Sequence, residues 1–594
     1  MGSKRKRKAR FIGKQNNKSN SLYPALGNVL KGPNYGYINE RGNFVIEPKF
    51  ENAYDFNELG IAIVTKNNKA GLINKNGEYV VHAMYDSISP YKEGRAVYVL
   101  NNTMGIIDEG GNRITKKPYN FVSDYNEGRA VVGIKDEETD SYIYGYIDLQ
   151  GDEIVPPSYL QANDYKDGVA LVKIEDNLFA LLDKEGKIIN SYKYFSVGQY
   201  GEGLMVFAES STSPLGYINT EGEVIIKPIY ASASAFKDGL AVVSTDELFN
   251  AKYGAINKKG EYVYDPIFSR IEHLGEERVS LGLPLNEDIP YWSSIYAIGD
   301  TAGNRLSDFK YLAVGNYSDG LASASDNKYT FFIDKQGNIV TNLPIVEGSG
   351  NLILLNEIIR ANIDFIPYYI KKSGKIIYKP NETLKLNNKY SITKVKYKPN
   401  YNYLIYYPKV QGVLNRETEK SINERLREMS YFYPDMDEAL EITEDDALEY
   451  SYTGDFEVEF FNKNLLVLDM TGYYYPFGAA HGMPNKKTPN IDLETGEFYT
   501  LADLFMGGVY WTGELNKIIE NMIATDPQYE ILFEDGFKGI KEDQDFYVDK
   551  NNLYIYFPPY EIAPYAAGFV TFKIPFTEIE GMINKEGNFY KSFN

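Results

Sequence analysis

The first half of the chain repeats a four-residue phrase: an aromatic residue, any residue, an acid and a glycine, each followed by an apolar, small, apolar run. The glycines of the first five copies are 34, 40, 35 and 36 residues apart, and the next gap of 81 is what two units would span. A fixed period of this size is typical of a repeat architecture. The copies occupy residues 91–94, 125–128, 165–168, 200–203, 236–239 and 317–320.

Each unit contains a second pattern. A short strand ends in Ile-Asn or Ile-Asp and enters a turn that closes on glycine, as at Ile38, Asn39 and Gly42. A further strand then runs into Pro-x-aromatic, as at residues 48–50. Glycine suits a turn with positive φ, and proline at a strand end removes a ladder donor. A unit is therefore predicted to be three or four short antiparallel strands, with the acid of the phrase solvated.

These units resemble the WG-repeat family of bacterial proteins, which is named for a Trp-Gly pair before the Ile-Asp strand. About ten units are counted between residues 31 and 380, fading after Asp300. The predicted fold of residues 31–390 is an all-β repeat array, propeller-like, with a curved β-solenoid as the alternative. The Trp position is filled here by Tyr35, Ala70, Met104, Tyr144, Leu215 and Tyr253, while the glycine after each remains.

Charge divides the chain unevenly. Residues 1–30 hold eight basic residues and no acid, whereas the remainder has 54 basic and 82 acidic residues. An acidic body argues against nucleic-acid binding, since phosphate neutralisation dominates that affinity. Residues 1–30 are predicted to be a disordered basic tail, with contact to an anionic surface as the alternative.

Several classes of site and anchor lack their sequence signals. The chain has no cysteine, which excludes disulfides and thiolate metal sites, and no cofactor is expected. No window carries the ~20 apolar residues of a membrane span, and no apolar core follows the basic start as in a signal peptide. The absence of these signals favours a cytoplasmic protein but does not decide the compartment.

The pattern changes near residue 390. Asn415 is predicted to cap a helix over about 416–429, on which Ile422, Leu426 and Met429 form an apolar stripe. A second helix is predicted at 513–524, with strands at 454–461, 464–471, 545–558 and 568–574. Residues 472–482 are predicted to be a loop. Residues 391–594 are thus predicted to be a separate α+β domain.

Nearly all of residues 392–594 resembles the extracytoplasmic domain of the RsiV type, found in a lysozyme-sensing anti-sigma factor and beside a peptidoglycan deacetylase domain. The matching motifs are residues 408–412, 478–482, 490–496, 501–505 and 560–568. The resemblance implies a non-catalytic binding protein of the bacterial cell envelope, which recognises a lysozyme-like protein or a cell-wall glycan.

Aromatic residues around the glycine-rich segment at 478–482 are the candidate partner-binding residues, because exposed rings contact proteins and sugars at low entropic cost. One alternative is a glycan hydrolase that uses His481 and a carboxylate such as Glu561, and another is an intracellular scaffold. The Asp-x-x-Gly turns lack the ligand spacing of calcium loops, so no metal is expected. The candidates are Tyr473, Tyr474, Tyr475, Phe477, His481, Tyr560, Glu561 and Tyr565.

Overall fold

The computed structural model describes residues 21–136, 140–246 and 251–594. The predicted basic tail lies outside them, apart from its last ten residues. Those ten residues differ from the prediction because Tyr23–Leu26 form β1, which pairs with β2.

Within the described residues, the repeat region forms ten small antiparallel sheets in succession, numbered here as sheets 1 to 10. Sheets 1 to 5 contain β1–β18: Tyr23–Leu26, Tyr35–Ile38, Phe44–Phe50; Asn52–Ala53, Ile61–Lys66, Lys69–Asn74, Tyr79–Tyr85; Ser87–Ile88, Arg95–Leu100, Thr103–Asp108; Phe121–Val122, Arg129–Lys135, Tyr142–Asp148, Glu153–Tyr159; Gln161–Ala162, Val169–Glu175, Leu178–Asp183, Ile188–Tyr192.

Sheets 6 to 10 contain β19–β37: Ser196–Gly201, Leu204–Ala208, Leu215–Asn219, Val224–Tyr230; Ser232–Ala233, Ala241–Ser244, Tyr253–Ile256, Tyr262–Phe268; Arg270–Gly275, Arg278–Pro284, Ser294–Asp300; Ala313–Val314, Ala322–Ser325, Tyr329–Ile333, Val346–Glu347; Gly350–Leu355, Ile358–Ile363, Ile366–Lys371, Ile376–Tyr378.

The ten sheets close into a ring. Each sheet shares a buried apolar cluster with the next, and sheet 10 shares one with sheet 1 through Ile358, Tyr369, Tyr23 and Ile38. The Tyr369 hydroxyl donates a 2.6 Å hydrogen bond to the carbonyl oxygen of Pro24 across this seam. The array is therefore propeller-like. The solenoid alternative is wrong, because sheets 1 and 10, the two ends of the array, are in contact.

The glycine of the degenerate Trp-Gly pair is needed where two strands of one unit approach closely. A Cβ on Gly36 would lie 2.3 Å from the carbonyl oxygen of Ile46, and one on Gly145 would lie 2.2 Å from that of Val155. The register of these strand pairs shifts next to both glycines. Any side chain there would push the strands apart, which explains why the glycine persists although the tryptophan is lost.

The tyrosine of the repeated phrase is structural. The Tyr125 hydroxyl donates to the carbonyl oxygen of Asp148 at 2.7 Å, and that of Tyr165 donates to Asp183 in the same way. The Asp148 carboxylate accepts the backbone N–H groups of Gln150 and Asp152, both at 2.9 Å, which closes the hairpin. The Asp-x-x-Gly segments are thus hairpin turns, as predicted.

The acid of the phrase is not solvated where it is glutamate, contrary to the prediction. The Glu93 carboxylate accepts hydrogen bonds from the backbone N–H groups of Glu127 and Gly128 in the next unit, at 2.9 and 2.8 Å. Glu127 accepts in turn from Asp167 and Gly168 at 2.8 and 2.9 Å. Both partner N–H groups project from a turn with positive φ, so one carboxylate can hold the pair. We call this contact the interblade clasp.

The residues after the ring form two sheets flanked by helices. Strands β38–β45 form one sheet: Thr383–Lys385, Ser391–Asn400, Tyr403–Gln411, Tyr450–Asn462, Leu465–Pro476, Met483–Lys487, Asn490–Asp492 and Phe498–Tyr499. Strands β46–β48 form the other: Phe546–Val548, Asn552–Phe557 and Val570–Pro575. Helices α1–α5 span Arg416–Met429, Met436–Glu441, Trp511–Thr525, Phe576–Ile579 and Asn588–Phe593, and 3₁₀ turns span Leu501–Leu504, Pro527–Tyr529 and Tyr565–Ala567.

Both predicted helices are present. Asn415 caps α1 by accepting from the N–H groups of Glu417 and Thr418. Ile422 and Leu426 of α1 pack in one core, and α3 packs on the smaller sheet in another. The predicted loop at 472–482 is wrong in its first part, since residues 472–476 continue β42. Tyr473 and Tyr474 each pair with residues of β41 and β43, and this pairing keeps the segment extended.

The interblade clasp predicts that substitutions at two positions with the same backbone conformation differ in their effect on stability. Glu127 and Asp167 both have φ of 51°, but no described hydrogen bond joins the shorter Asp167 side chain to the next unit. Glu127→Ala should lower the free energy of unfolding by about 1 kcal/mol more than Asp167→Ala. The expected difference is at the low end of the range for a hydrogen bond to a charged group, because the Glu127 side chain is 35% exposed. Equal denaturation midpoints for the two variants would contradict the clasp.

Candidate functional site

A two-residue turn in sheet 10 makes the first contact between the ring and the C-terminal domain. Asp364 and Phe365 both have positive φ, 49° and 66°, so the chain reverses sharply between β35 and β36. The Asp364 side chain is 2% exposed and accepts hydrogen bonds from the ammonium groups of Lys398 at 2.5 Å and Lys396 at 3.0 Å, both on β39. The Tyr406 hydroxyl donates to the Asp364 carbonyl oxygen at 2.7 Å.

Asp364 is charged in this setting. Burial disfavours its ionised form, but hydrogen bonds from Lys398 and the Ser349 backbone outweigh burial and hold the pKa of Asp364 below its ordinary value. Burial likewise lowers the pKa of Lys398, which Asp364 opposes. The Lys396 ammonium and the Ser349 side chain also contact this pair, and these contacts together fix the ring and the domain to each other.

A long hairpin loop in sheet 8 makes a second contact with the domain. Trp292, between β28 and β29, stacks on Tyr475 with ring centroids 4.3 Å apart and planes 13° apart. Phe477 lies 5.5 Å from the same indole. Two predicted partner-binding residues, Tyr475 and Phe477, are therefore engaged by the ring in this structure.

Four other predicted residues, Tyr473, His481, Tyr560 and Tyr565, lie together and are called here the aromatic face. The His481 ring stacks on Tyr565 with centroids 3.9 Å apart, and its Nε2 lies 2.9 Å from the Tyr560 hydroxyl. The Tyr473 hydroxyl accepts the N–H of Gly482 at 3.0 Å. A hydrogen bond with Tyr473 is the main cause that raises the pKa of Tyr565. Each ring is thus held by another ring or by the backbone.

The two ring nitrogens of His481 have different partners. Its Nδ1 lies 3.0 Å from the Gly482 carbonyl oxygen, which can only accept. Nδ1 therefore carries the proton of the neutral ring, and Nε2 accepts from the Tyr560 hydroxyl. Glu561, the proposed carboxylate partner, instead pairs with Lys541 at 2.9 Å. No hydrogen bond or ion pair in the described part of the chain joins Glu561 to His481.

Tyr474 differs from its neighbours because it lies on the opposite face of β42. Its ring centroid is 4.0 Å from that of Tyr433 and 5.3 Å from that of Tyr450. Burial and the hydrogen bond with Tyr433 raise the pKa of Tyr474 to about 12. Tyr474 packs with a tyrosine-rich core that includes Tyr403 and Tyr452, so it does not belong to the aromatic face.

A groove of about 310 Å³ adjoins the aromatic face where Phe365 of the ring meets the larger sheet. Phe365 lies on one side of it and is 76% exposed, whereas Tyr473 and Phe569 lie on the other. Gly454 and Gly472 pair across β41 and β42 and also line the groove. No pattern in the sequence indicated Phe365 or Phe569 as part of the groove. An aromatic residue in a tight turn was a signal for Phe365, but nothing local related it to Tyr473.

The other two histidines lie outside this region. His82 is exposed on β7 and stacks on Tyr79, while His273 is half-buried on β27, 3.9 Å from Asp238. In the described ranges, no group of three or more histidine, aspartate or glutamate side chains is arranged to hold a metal ion. None of the helices described has the length and apolar character needed to cross a membrane.

Two family models match parts of the chain. The WG containing repeat matches residues 35–69, 71–103, 144–177, 216–249 and 253–277. A protein family of unknown function, DUF3298, matches residues 502–577. The chain therefore carries WG repeats followed by a DUF3298 domain. No curated protein matches the chain.

Solved structures are similar to separate parts of the chain. A DUF3298 family member from Bacteroides fragilis is 21% identical over 33% of this chain and 93% of its own, with a TM-score of 0.27. A DUF3298 family protein from Pseudomonas aeruginosa is 13% identical over 34% and 97%, also with a TM-score of 0.27. BamB from Moraxella catarrhalis is 12% identical over 47% and 93%, with a TM-score of 0.27.

Loss of the Asp364 charge should lower the free energy of unfolding of the whole chain. Asp364→Asn leaves Lys398, whose side chain is 10% exposed, without its counter-charge, and should destabilise the protein by ~3 kcal/mol. The matched control is Glu444→Gln, which removes an exposed ion pair with Lys328 across the same two parts of the chain. The control should cost under ~0.5 kcal/mol. Similar thermal midpoints for the two variants would show that the buried contact is unimportant.

The same contact has a pH dependence of known sign. Because the folded pKa of Asp364 is lowered, its contribution is complete above the unfolded value of about 4 and is lost as pH falls through the folded value. In thermal scans at several pH values, the difference in melting temperature between Asp364→Asn and the wild type should therefore become smaller only below about pH 4. If that difference disappeared between pH 8 and pH 6, a titratable group other than Asp364 would have to explain it.

Proposed function

We propose that the chain is a non-catalytic binding protein of the bacterial cell envelope that captures a protein partner on the aromatic face. The observation that carries this proposal is the ordered cluster of Tyr473, His481, Tyr560 and Tyr565, of which Tyr560 is 50% and Tyr473 38% exposed. Their mutual contacts fix the rings before binding, so a partner loses little affinity to side-chain ordering. Tyrosine is also the residue type enriched at interface hot spots.

The charge of the chain indicates what charge its partner should carry. The chain has a formal net charge of −20. Burial, together with the nearby Glu561 and Asp543, raises the pKa of Asp545 close to the aromatic face. The net negative charge of the chain favours a basic protein through faster and more selective encounter. The RsiV-type resemblance of residues 392–594 nominates a lysozyme-like muramidase, and we take lysozyme as the first protein to test.

The contacts of His481 favour binding over hydrolysis. A general base needs a free lone pair within reach of the substrate proton, whereas Nε2 of His481 is occupied by the Tyr560 hydroxyl. Glu561 pairs with Lys541 and lacks a contact with the imidazole. These two side chains are therefore better explained as parts of a contact surface than as an acid–base pair.

The envelope location comes from the resemblance, and an intracellular scaffold remains its rival. Fractionation of cells that express the natural gene, followed by detection with an antibody to the chain, separates the two. Recovery with the envelope or the medium supports the proposal, and recovery in the cytoplasm alone contradicts it.

Truncation of the aromatic face should remove capture without unfolding the protein. Tyr560→Ala and Tyr473→Ala should each weaken lysozyme binding about thirty-fold, since an aromatic anchor contributes ~2 kcal/mol. Binding is measured by calorimetry with the full chain. The matched control is Tyr510→Ala, a tyrosine that is 76% exposed and lies outside the cluster, and it should stay within two-fold of the wild type.

Three results would count against the proposal. The first is an absence of lysozyme binding by the wild type, and the second is unchanged affinity in both cluster variants. The third is release of product from cell-wall glycan by the wild type that His481→Ala abolishes, because that would identify a hydrolase. Thermal midpoints within a few degrees of the wild type establish that each variant is folded.

A further inference from the structure

A second cavity lies between the ring and the C-terminal domain, away from the aromatic face. Its volume is about 750 Å³. One wall is the loop of sheet 8 with Trp292, and the other is formed by residues 400–402 and 444–451 of the domain. Ligand pockets in proteins commonly measure ~300–1,000 Å³. The cavity, called here the interdomain cleft, therefore has room for a ligand of two or three sugar-sized rings.

The apolar part of the cleft is aromatic and held in place. Trp292 is 36% exposed, and its indole is backed by Tyr475 at 4.3 Å and Phe477 at 5.5 Å. Tyr296 and Tyr401 also line the cleft. The exposed part of a ring that its neighbours hold in place offers a fixed apolar surface for the C–H face of a flat ligand.

The polar part of the cleft consists mainly of amides and hydroxyls. Asn286, Asn327, Asn402, Ser293 and Ser451 are among its lining residues. Asn and Ser side chains both donate and accept hydrogen bonds, which matches the hydroxyl groups of a sugar. The buried Asn400 side chain donates to the carbonyl oxygens of Thr443 and Asp446, at 2.9 and 3.0 Å, and so fixes the loop that forms one wall.

Charge narrows the class of ligand further. Four carboxylates, those of Glu287, Glu444, Asp446 and Glu449, line the cleft, and no lysine or arginine does so. An anionic ligand would therefore be repelled. Two of these carboxylates already have partners, since Glu444 pairs with Lys328 at 2.9 Å and Asp446 accepts the Thr443 N–H at 2.6 Å. Among the described residues, only Lys328 offsets one of these charges, since a backbone N–H does not neutralise a carboxylate, so a cationic peptide is the competing occupant that the titration below tests.

We propose that the interdomain cleft is a binding site for a neutral oligosaccharide of two or three rings, which stacks on Trp292 and hydrogen-bonds to Asn327 and Asn402. The two asparagines lie on opposite walls, one on the ring and one on the domain. The site exists only while the two parts of the chain are held together, as Asp364 holds them. It is separate from the aromatic face, so either proposal can fail without the other.

The chain offers a direct probe of this site. It contains two tryptophans, Trp292 and Trp511, and the second stacks on Phe505 in a different core. Trp511→Phe keeps an aromatic ring there and leaves Trp292 as the sole source of tryptophan fluorescence. Titration of this variant with maltotriose, cellotriose and triacetylchitotriose should give a saturable change in emission with at least one of the three. The acidic trisaccharide trigalacturonate should give none.

Variants then locate the binding. In the same background, Asn327→Ala and Asn402→Ala should each weaken the responding sugar about ten-fold or more. Asn327 is exposed, so its truncation should leave the fold intact. The matched control is Asn485→Ala, an asparagine that lines the groove beside the aromatic face, and it should stay within two-fold.

The proposal is overturned if none of the three neutral sugars changes the emission of Trp292. It is also overturned if both asparagine variants bind the responding sugar as well as the background does. A saturable response to trilysine without any response to sugars would assign the cleft to a cationic peptide and exclude the saccharide.

Discussion

The buried carboxylate of Asp364 is the contact on which the arrangement of this protein depends. It holds the ammonium groups of Lys396 and Lys398 at 3.0 and 2.5 Å, and it belongs to the turn that ends β35. Because Phe365 is the next residue, the turn that locks the domain also carries an exposed ring to the edge of the groove. One local conformation thus sets both the position of the domain and the shape of the groove beside the aromatic face.

A rigid ring is the condition for such a contact to be useful. The apolar clusters shared by neighbouring sheets run continuously from sheet 1 to sheet 10 and back. The interblade clasps add directed hydrogen bonds where the phrase carries glutamate, as at Glu93, Glu127 and Glu202, and Glu276, outside the phrase, accepts from Gly320 in the same way. Aspartate at Asp167 is one methylene shorter and makes no such bond in the described residues. The choice between the two acids therefore decides how tightly neighbouring units are tied.

Local patterns in the sequence predicted the elements whose causes are local. The period of the phrase predicted the repeats, and the Asn415 cap with Ile422 and Leu426 predicted α1. The segment at 472–482 was misassigned because its glycines resemble a loop, whereas pairing with β41 and β43 keeps its first residues extended. Of the eight candidates, four form the aromatic face. Tyr475 and Phe477 contact Trp292, which lies almost 200 residues earlier in the chain, and no local pattern encodes that contact.

The central claim is that the ring and the C-terminal domain keep one fixed arrangement in solution, and a spin-label distance measurement tests it most directly. The chain has no cysteine, so Glu357→Cys on the ring and Leu414→Cys on the domain would be the only labelled sites. Both positions are well exposed, at 86% and 85%. The account predicts a single narrow distance distribution that broadens when Asp364→Asn is added. A broad or multiple distribution without that substitution would contradict it.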